Sequence, residues 1–504
     1  MNRSIVRLFG VVILLFALLL VWTSRWTVFS ASSLDSNQLN KLQFYASLKI
    51  RRGTIYADNG EVLARSVSAG GGTWERTYPQ GSLFAQAIGY YFPQQGQRPT
   101  GLEASRNSEL QGQQNALTSV FGSFNGTPTV GDDIDTTLDP EAQALARRLL
   151  HGRVGAVVAI VPQTGAIKVM YSNPSYDDNH PLKYDSGDAA CPNPEHVGCE
   201  FDYAAQAELP PGSTFKLVTT TAALDTGKYT PQSVINGHGP ITVSGRPLEN
   251  DAGEQYGEVS LTTALTDSIN VVYAQVGEAL GANVIQDYMQ RYGFYSIPPL
   301  DYPADQMVAS GERFYPDTCG HNRKILLLPV TNSCVDLGRT SIGQANLAVT
   351  PLQMAMVVSA IANGGKLIEP RLTERAINAD GEVVEQVAPQ EYDQVMKPRY
   401  AAQLTTMMED VVDEGTGQAA RLQGLKVAGK TGTASTGGCS RGQPAGGSCP
   451  DGQPLDDAWF VGFPVSDPKI AVAVELSDIP NGYGGVYAAP IAAQVIKTLL
   501  AENQ

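Results

Sequence analysis

Three separated clusters in this 504-residue chain carry side chains able to do chemistry together. The first is PPGSTFKLVTTTAALDTG, residues 210–227, where Ser213 opens an apolar helical stretch and Lys216 follows three residues later. On a helix that spacing places both on one face, one turn apart, so the amine can reach the hydroxyl as a base beside a nucleophile. An ordinary lysine is protonated at neutral pH and useless as a base. Burial, the positive end of a helix and a second nearby cation all disfavour the ammonium. The helix start also offers the backbone N–H of Ser213 to an oxyanion.

The second cluster is Ser268-Ile269-Asn270, inside LTTALTDSINVVYAQVGEALG. A turn between two helices there aims both polar side chains one way while Ile269 packs inward. The third is VAGKTGTAS, read as a strand whose two-residue period sends Thr431 and Thr433 to one face. Lys430 starts on the other face, and its long stem must carry the ammonium into the gap between strand and helices. Gly432 leaves no side chain to block an extended peptide ligand pairing along the strand. Taken singly, the clusters read more readily as a helix cap, a surface lysine and an ordinary edge strand. The order SxxK, SxN, KTG within one mixed α/β pattern is what ties them to one site.

The elements that must position these residues are those of an α+β chain. GAVVAIVP and AIKVMYS, around a Gln-Thr-Gly turn, form an apolar hairpin from Gly155 onward; AWFVGFPV and KIAVAVELS form another near the C-terminus. These first and last strands are expected to share one antiparallel sheet, with the helices inserted between them. Residues 213–226, 260–280, 283–292, 351–364 and 399–413 carry apolar residues at helical spacing, and 489–501 reads as a terminal helix. Upstream, RRGTIYADNGEVLARS (51–66) reads as a hairpin, Gly70-Gly71-Gly72 as a flexible break, and DIDTTLDPEAQALARRLL as a strand followed by a helix capped by Asp139. Residues 173–203 and 435–456 read as loops.

A formal net charge of −15 excludes the clustered basic surface that nucleic-acid binding requires. The run Leu8 to Thr23, flanked by Arg3 and Arg7, approaches the length a bilayer needs. It reads as a signal peptide or a retained anchor; the lack of a clear small-x-small cleavage site and the interfacial Trp22 and Trp26 favour the anchor. Thr27 to Gln43 reads as a polar stalk. Six cysteines fall into three local pairs, Cys191 with Cys199, Cys319 with Cys334 and Cys439 with Cys449, which beside an export signal point to disulfides rather than scattered thiols. The five histidines lack metal-ligand spacing, so no metal is expected.

In this order the motifs resemble those of the class B penicillin-binding proteins, most closely the actinobacterial penicillin-binding protein A group. The likeness runs over nearly the whole chain, through RRGTIYADNGEVLARS, RTYPQG, GLEASRNSELQG, TSIGQANLAVTPLQMAMVVSAIANGG, GLKVAGKTGTA and DAWFVGFP. Ile269 stands at a position the family varies, and the loop with Cys319 and Cys334 looks like a local elaboration. The resemblance implies a cytoplasmic tip and membrane anchor over 1–26 and a small α+β pedestal, dimerisation-like, over 27–150. It implies a transpeptidase domain over 151–504, with a central antiparallel sheet flanked by helices plus a helical subdomain.

It further implies a single-pass membrane protein with an extracytoplasmic peptidoglycan D,D-transpeptidase domain that needs no cofactor. Ser213 would attack the penultimate D-alanine carbonyl of a stem peptide, Lys216 taking its proton and Ser268 passing it to the departing D-alanine. Lys430 would hold positive potential and bias Lys216 toward neutrality. Thr431 and Thr433, flanking Gly432, would bind the terminal carboxylate; Asn270 would hold the substrate amide and orient Lys216. The backbone N–H groups of Ser213 and Thr433 would form the oxyanion hole. β-Lactams would acylate the same serine, and a SEDS-type membrane polymerase would supply glycan strands. A carboxypeptidase or β-lactamase would instead need a deacylating carboxylate, and Glu208, close before the serine, reads as a loop residue. A β-lactam sensor would need a cytoplasmic effector, for which the segment before the apolar run is too short. A bifunctional synthase would need more chain than lies between stalk and catalytic region.

Overall fold

Five antiparallel strands form the frame of the C-terminal part, in the order Val427–Cys439, Pro454–Pro464, Ala471–Pro480, Gly155–Ile160, Ile167–Asn173. The first and last hairpins of that region therefore do share one sheet. The computed structural model describes residues 3–25, 47–93, 97–112, 130–181, 198–314, 326–439 and 453–501. Every residue of Gly155–Ile160 is buried, as a Val- and Ile-rich central strand requires, so both sheet faces must be covered. Helix Pro351–Ala362 packs against the sheet, and helices Pro140–Leu150 and Ala489–Ala501 pack on it and on each other. Asp139 caps Pro140–Leu150, its carboxylate accepting from Ala142 N at 2.9 Å. Strand order leaves Val427–Cys439, which carries Lys430 to Thr433, at the edge.

The edge strand Val427–Cys439 and its neighbour Pro454–Pro464 reach further than the sequence pattern indicates. Residues 435–439 and 454–456, expected as loop, continue the pairing, with Ser435 opposite Asp456 and Cys439 opposite Pro454. Gly70, Gly71 and Gly72 are not a break either: all three have positive φ and turn strand Val62–Gly70 into strand Thr73–Thr77.

A six-stranded sheet holds the N-terminal part, in the order Val383–Gln386, Thr373–Ile377, Asp133–Thr136, Ile55–Tyr56, Val62–Gly70, Thr73–Thr77. The expected hairpin is present, with Ile55 opposite Ala64. Two of its strands come from far along the chain, Arg375 pairing with Asp135 and bridging it at 2.6 Å. The polypeptide thus returns across residue 150, tying the N-terminal sheet to the C-terminal half. Below this sheet Glu103 is fully buried between Arg52 and Arg76, at 2.5 Å from each. Burial pushes its carboxyl up, but the two guanidiniums outweigh that and hold it below its ordinary value.

Helix Arg3–Ser24 stands apart, with its apolar side chains exposed and a mean hydropathy of 2.2 over Arg7–Ser24. It is long and apolar enough to cross a bilayer. The stretch Gly484–Ala501 also passes by length and composition, but it is half buried in the fold and belongs to the core. Cys199 and Cys334 are disulfide-bonded. Their expected partners Cys191 and Cys319, together with Cys449 and the stalk at 27–43, lie outside the described residues, as does the side chain of Cys439.

Removing the carboxylate that two buried guanidiniums share leaves both charges uncompensated. Glu103→Ala is expected to destabilise the protein by about 3–5 kcal/mol, seen as an earlier transition in urea unfolding.

Candidate active site

Gly212 turns the chain with a left-handed φ of +51°, and a Cβ there would lie 2.6 Å from the carbonyl oxygen of Thr433. Only glycine lets the two backbones meet so closely. Ser213 then sits in a single 3₁₀ turn, Gly212–Phe215, that runs into helix Lys216–Asp225. The expected helix is present, but its first turn is tighter than α. In a 3₁₀ turn residues three apart eclipse one another, which suits the Ser213–Lys216 spacing. The helix is buried from Lys216 through Leu224.

Lys216 Nζ does not use its hydrogen bonds on Ser213. It donates to the backbone oxygen of Ser268 at 2.5 Å and to Asn270 Oδ1 at 2.8 Å, with Ser268 Oγ at 3.2 Å. Among the described residues no hydrogen bond joins it to Ser213, which lines an open cleft. Ser268 lies between helices Leu261–Thr266 and Asn270–Leu280, in the left-handed region at φ +61°. That conformation costs a serine about 1–3 kcal/mol, and it points Oγ between two amines. Ile269 is buried behind it, as expected. Neither Ser268 nor Asn270 caps the following helix with its side chain.

The second amine is Lys430. From the edge strand its Nζ reaches Ser268 Oγ at 3.0 Å and the Thr431 carbonyl oxygen at 3.2 Å. Both lysines are fully buried, and among the described residues neither is ion-paired. Burial, then the nearby Lys430 charge, holds the Lys216 amine well below its ordinary range, with Asp251 opposing. Burial pushes Lys430 down to about 7, against the pull of Asp267.

Thr431 and Thr433 share one face of the strand. Thr431 Oγ1 lies 2.6 Å from Thr416 Oγ1, and Thr433 Oγ1 accepts from Gly484 N at 3.4 Å. Gly432 has a different role from the one its position suggests: a Cβ there would meet Pro211 O at 2.7 Å and Thr214 Cγ2 at 3.0 Å. Its missing side chain makes room for the Pro211–Thr214 segment, not for a ligand. Ser213, Ser268, Asn270, Thr431 and Thr433 line one cleft of about 560 Å³, within the range of small-molecule sites.

Residues 155–497 match the penicillin-binding protein transpeptidase domain family, and residues 52–134 the penicillin-binding protein A dimerisation domain family. The chain belongs to the class B penicillin-binding proteins. It is 32% identical to the peptidoglycan D,D-transpeptidase PbpA of Mycolicibacterium smegmatis over 100% of both chains. Its fold is similar to that of penicillin-binding protein A from M. tuberculosis in a ceftriaxone acyl-enzyme complex. The TM-score is 0.75 at 29% identity, over 90% of this chain and 99% of that one. It is also similar to the D,D-transpeptidase domain of a peptidoglycan glycosyltransferase from Eggerthella lenta, at TM-score 0.74 and 30% identity over 90% and 99% of the two chains.

This transpeptidase adds residues to the cleft that its three motifs do not name: Thr416, Gln344, Asp251, Asp267 and Tyr483. Thr416 had a signal, the Gly415-Thr416-Gly417 triplet before the edge strand. A Cβ at Gly415 would lie 2.3 Å from Thr266 O, so that loop is pressed against the Ser268 helix pair. Asp251 and Tyr483 arrive from loops with no such mark. Glu208 is ion-paired with Arg313.

Two pH effects follow from the buried amines. Unfolding returns Lys430 from about 7 to its free value of about 10.4. Between those values the unfolded chain binds more protons, so this group's contribution to stability should rise with pH through that window and level off at its lower value below it. Lys430→Met should flatten this slope in urea titrations. The same substitution removes a neighbouring positive charge, so the rising limb of the acylation rate against pH should move to higher pH as Lys216 becomes easier to protonate.

Proposed function

We propose that Ser213 is the acylated nucleophile of a peptidoglycan-crosslinking reaction carried out outside the membrane. The observation that carries this reading is that Ser268 Oγ lies within 3.2 Å of Lys216 Nζ and 3.0 Å of Lys430 Nζ, beside a cleft lined by Ser213. Neutral Lys216 takes the proton of Ser213 as Oγ attacks the carbonyl carbon of the penultimate D-alanine in a stem peptide. The tetrahedral oxyanion is held by the N–H groups of Ser213 and Thr433. The carbon–nitrogen bond to the terminal D-alanine then breaks, and its nitrogen receives the Lys216 proton through Ser268. An amine from a second stem peptide attacks the ester, loses its proton to Lys216, and leaves the crosslink as Ser213 regains its hydrogen.

Thr431 and Thr433 bind the terminal carboxylate under the positive potential of Lys430. Asn270 fixes Lys216 through Oδ1 and offers its amide to the substrate. The relative from M. tuberculosis forms acyl-enzymes with β-lactams, which supports β-lactams as acylating ligands here. Residues 1–26 serve as the membrane anchor, 27–150 as the pedestal and 151–504 as the transpeptidase domain. Three local disulfides, Cys191–Cys199, Cys319–Cys334 and Cys439–Cys449, staple the outer loops, and a SEDS-type membrane polymerase supplies glycan strands to this partner.

Labelling the full-length protein with a fluorescent penicillin should give a stable adduct that maps by mass spectrometry to the peptide containing Ser213. Ser213→Ala should abolish it. A label on another residue, or an adduct that water releases within one turnover, would sink the reading.

A further inference from the structure

Beneath the nucleophile turn lies a carboxyl group that the reaction above does not use. Glu312, on strand Gly311–Phe314, is completely buried. One of its oxygens takes a hydrogen bond from Thr340 Oγ1 at 2.5 Å; the other has no partner. Among the described residues it makes no ion pair. A lone buried carboxyl is an expensive way to fill space that an apolar side chain could occupy.

Its contacts lead to the active site in three steps. Thr340 accepts at its backbone oxygen from Gly343 N at 2.8 Å, closing a tight turn, and Gly343 O accepts from Gly212 N at 3.0 Å. Gly343 and Gly212 are so close that a Cβ on Gly343 would lie 1.8 Å from Gly212 O. Ser213 is the next residue. Segment 340–349 is held elsewhere too: Arg313 N donates to Asn346 O at 2.7 Å, and Leu209 and Val349 exchange two backbone bonds at 2.8 and 3.0 Å. At the Thr340 end, the Glu312 carboxyl is the group on this strand that grips the segment through a side chain.

We propose that Glu312, acting through Thr340, is a positioning residue that sets where the Gly212–Ser213 turn sits against the oxyanion strand. It touches neither substrate nor the reacting atoms. Burial pushes its carboxyl up to about 7, Asp336 adding to the shift and the Tyr295 phenol facing the same group. A glutamine, which can still accept from Thr340, is therefore a fair substitute for it. The inference rests on Ser213 as nucleophile.

The test separates binding from bond formation. Acylation of the full-length protein by a fluorescent penicillin is followed over a range of penicillin concentrations, giving a limiting acylation rate and a half-saturating concentration. Glu312→Ala and Thr340→Val should each lower the limiting rate about tenfold with little change in half-saturation, since a small misplacement of a nucleophile is felt in the chemical step. The double variant should be no slower than either single one, because both cut the same link. Glu312→Gln should recover most of the rate. Wild-type limiting rates in folded Thr340→Val or Glu312→Ala, multiplying losses in the double variant, or a glutamine as slow as the alanine would each overturn the proposal. If Glu312→Ala does not fold, Thr340→Val and Glu312→Gln decide it by the same criteria. Failure of the wild type itself to label at Ser213 would instead overturn the nucleophile assignment.

Discussion

Two buried lysine amines share one serine hydroxyl, and among the described residues no carboxylate is within ion-pairing distance of either. An unpaired ammonium in such a place is costly enough that the group gives up its proton instead. Lys216 is driven further than burial alone would take it because Lys430 stands on the far side of Ser268. Asp251 and Asp267 temper the effect from the cleft rim without bonding to either amine. Burial of this kind weakens the hold of a lysine amine on its proton, and the effect lasts only while water and counter-charge are kept from both amines.

Keeping them out is the work of close backbone packing. Gly212 meets Thr433, Gly432 meets Pro211, and Gly343 meets Gly212, each at a distance that no side chain allows. Through these three contacts the Ser213 turn, the edge strand and the loop after Thr340 pack backbone to backbone. The same edge strand has a side open to an extended ligand, because the sheet stops there. Burial on one side and an unpaired edge on the other give the cleft its chemistry and its access.

Much of this was legible residue by residue. Asp139 before Pro140 marks a helix start because capping is local. Continuous apolar runs in Gly155–Ile160 and through Ala471–Val474 mark strands buried on both faces, because composition over a few residues is local too. Other features were not. The triple glycine at 70–72 permits either a loose break or a tight hairpin, and only the strands flanking it decide. Thr373–Ile377 has no local sign of pairing with Asp133–Thr136, since hydrogen bonds between segments so distant in the chain leave no period in either. Glu312 looks like any strand glutamate until the fold buries it.

By itself the sequence determined which groups could react: a hydroxyl and an amine three residues apart, a Ser-x-Asn turn, and a Lys-Thr-Gly strand, with helices and strands of the right kinds around them. Side-chain type and short-range spacing are written in covalent order. Tertiary structure alone decided that Lys216 turns to Ser268 and Asn270 rather than to Ser213, that Ser268 takes a left-handed backbone, and that Gly432 gives its space to Pro211. Each depends on how segments more than fifty residues apart approach one another, and that is set by the packing of the whole core.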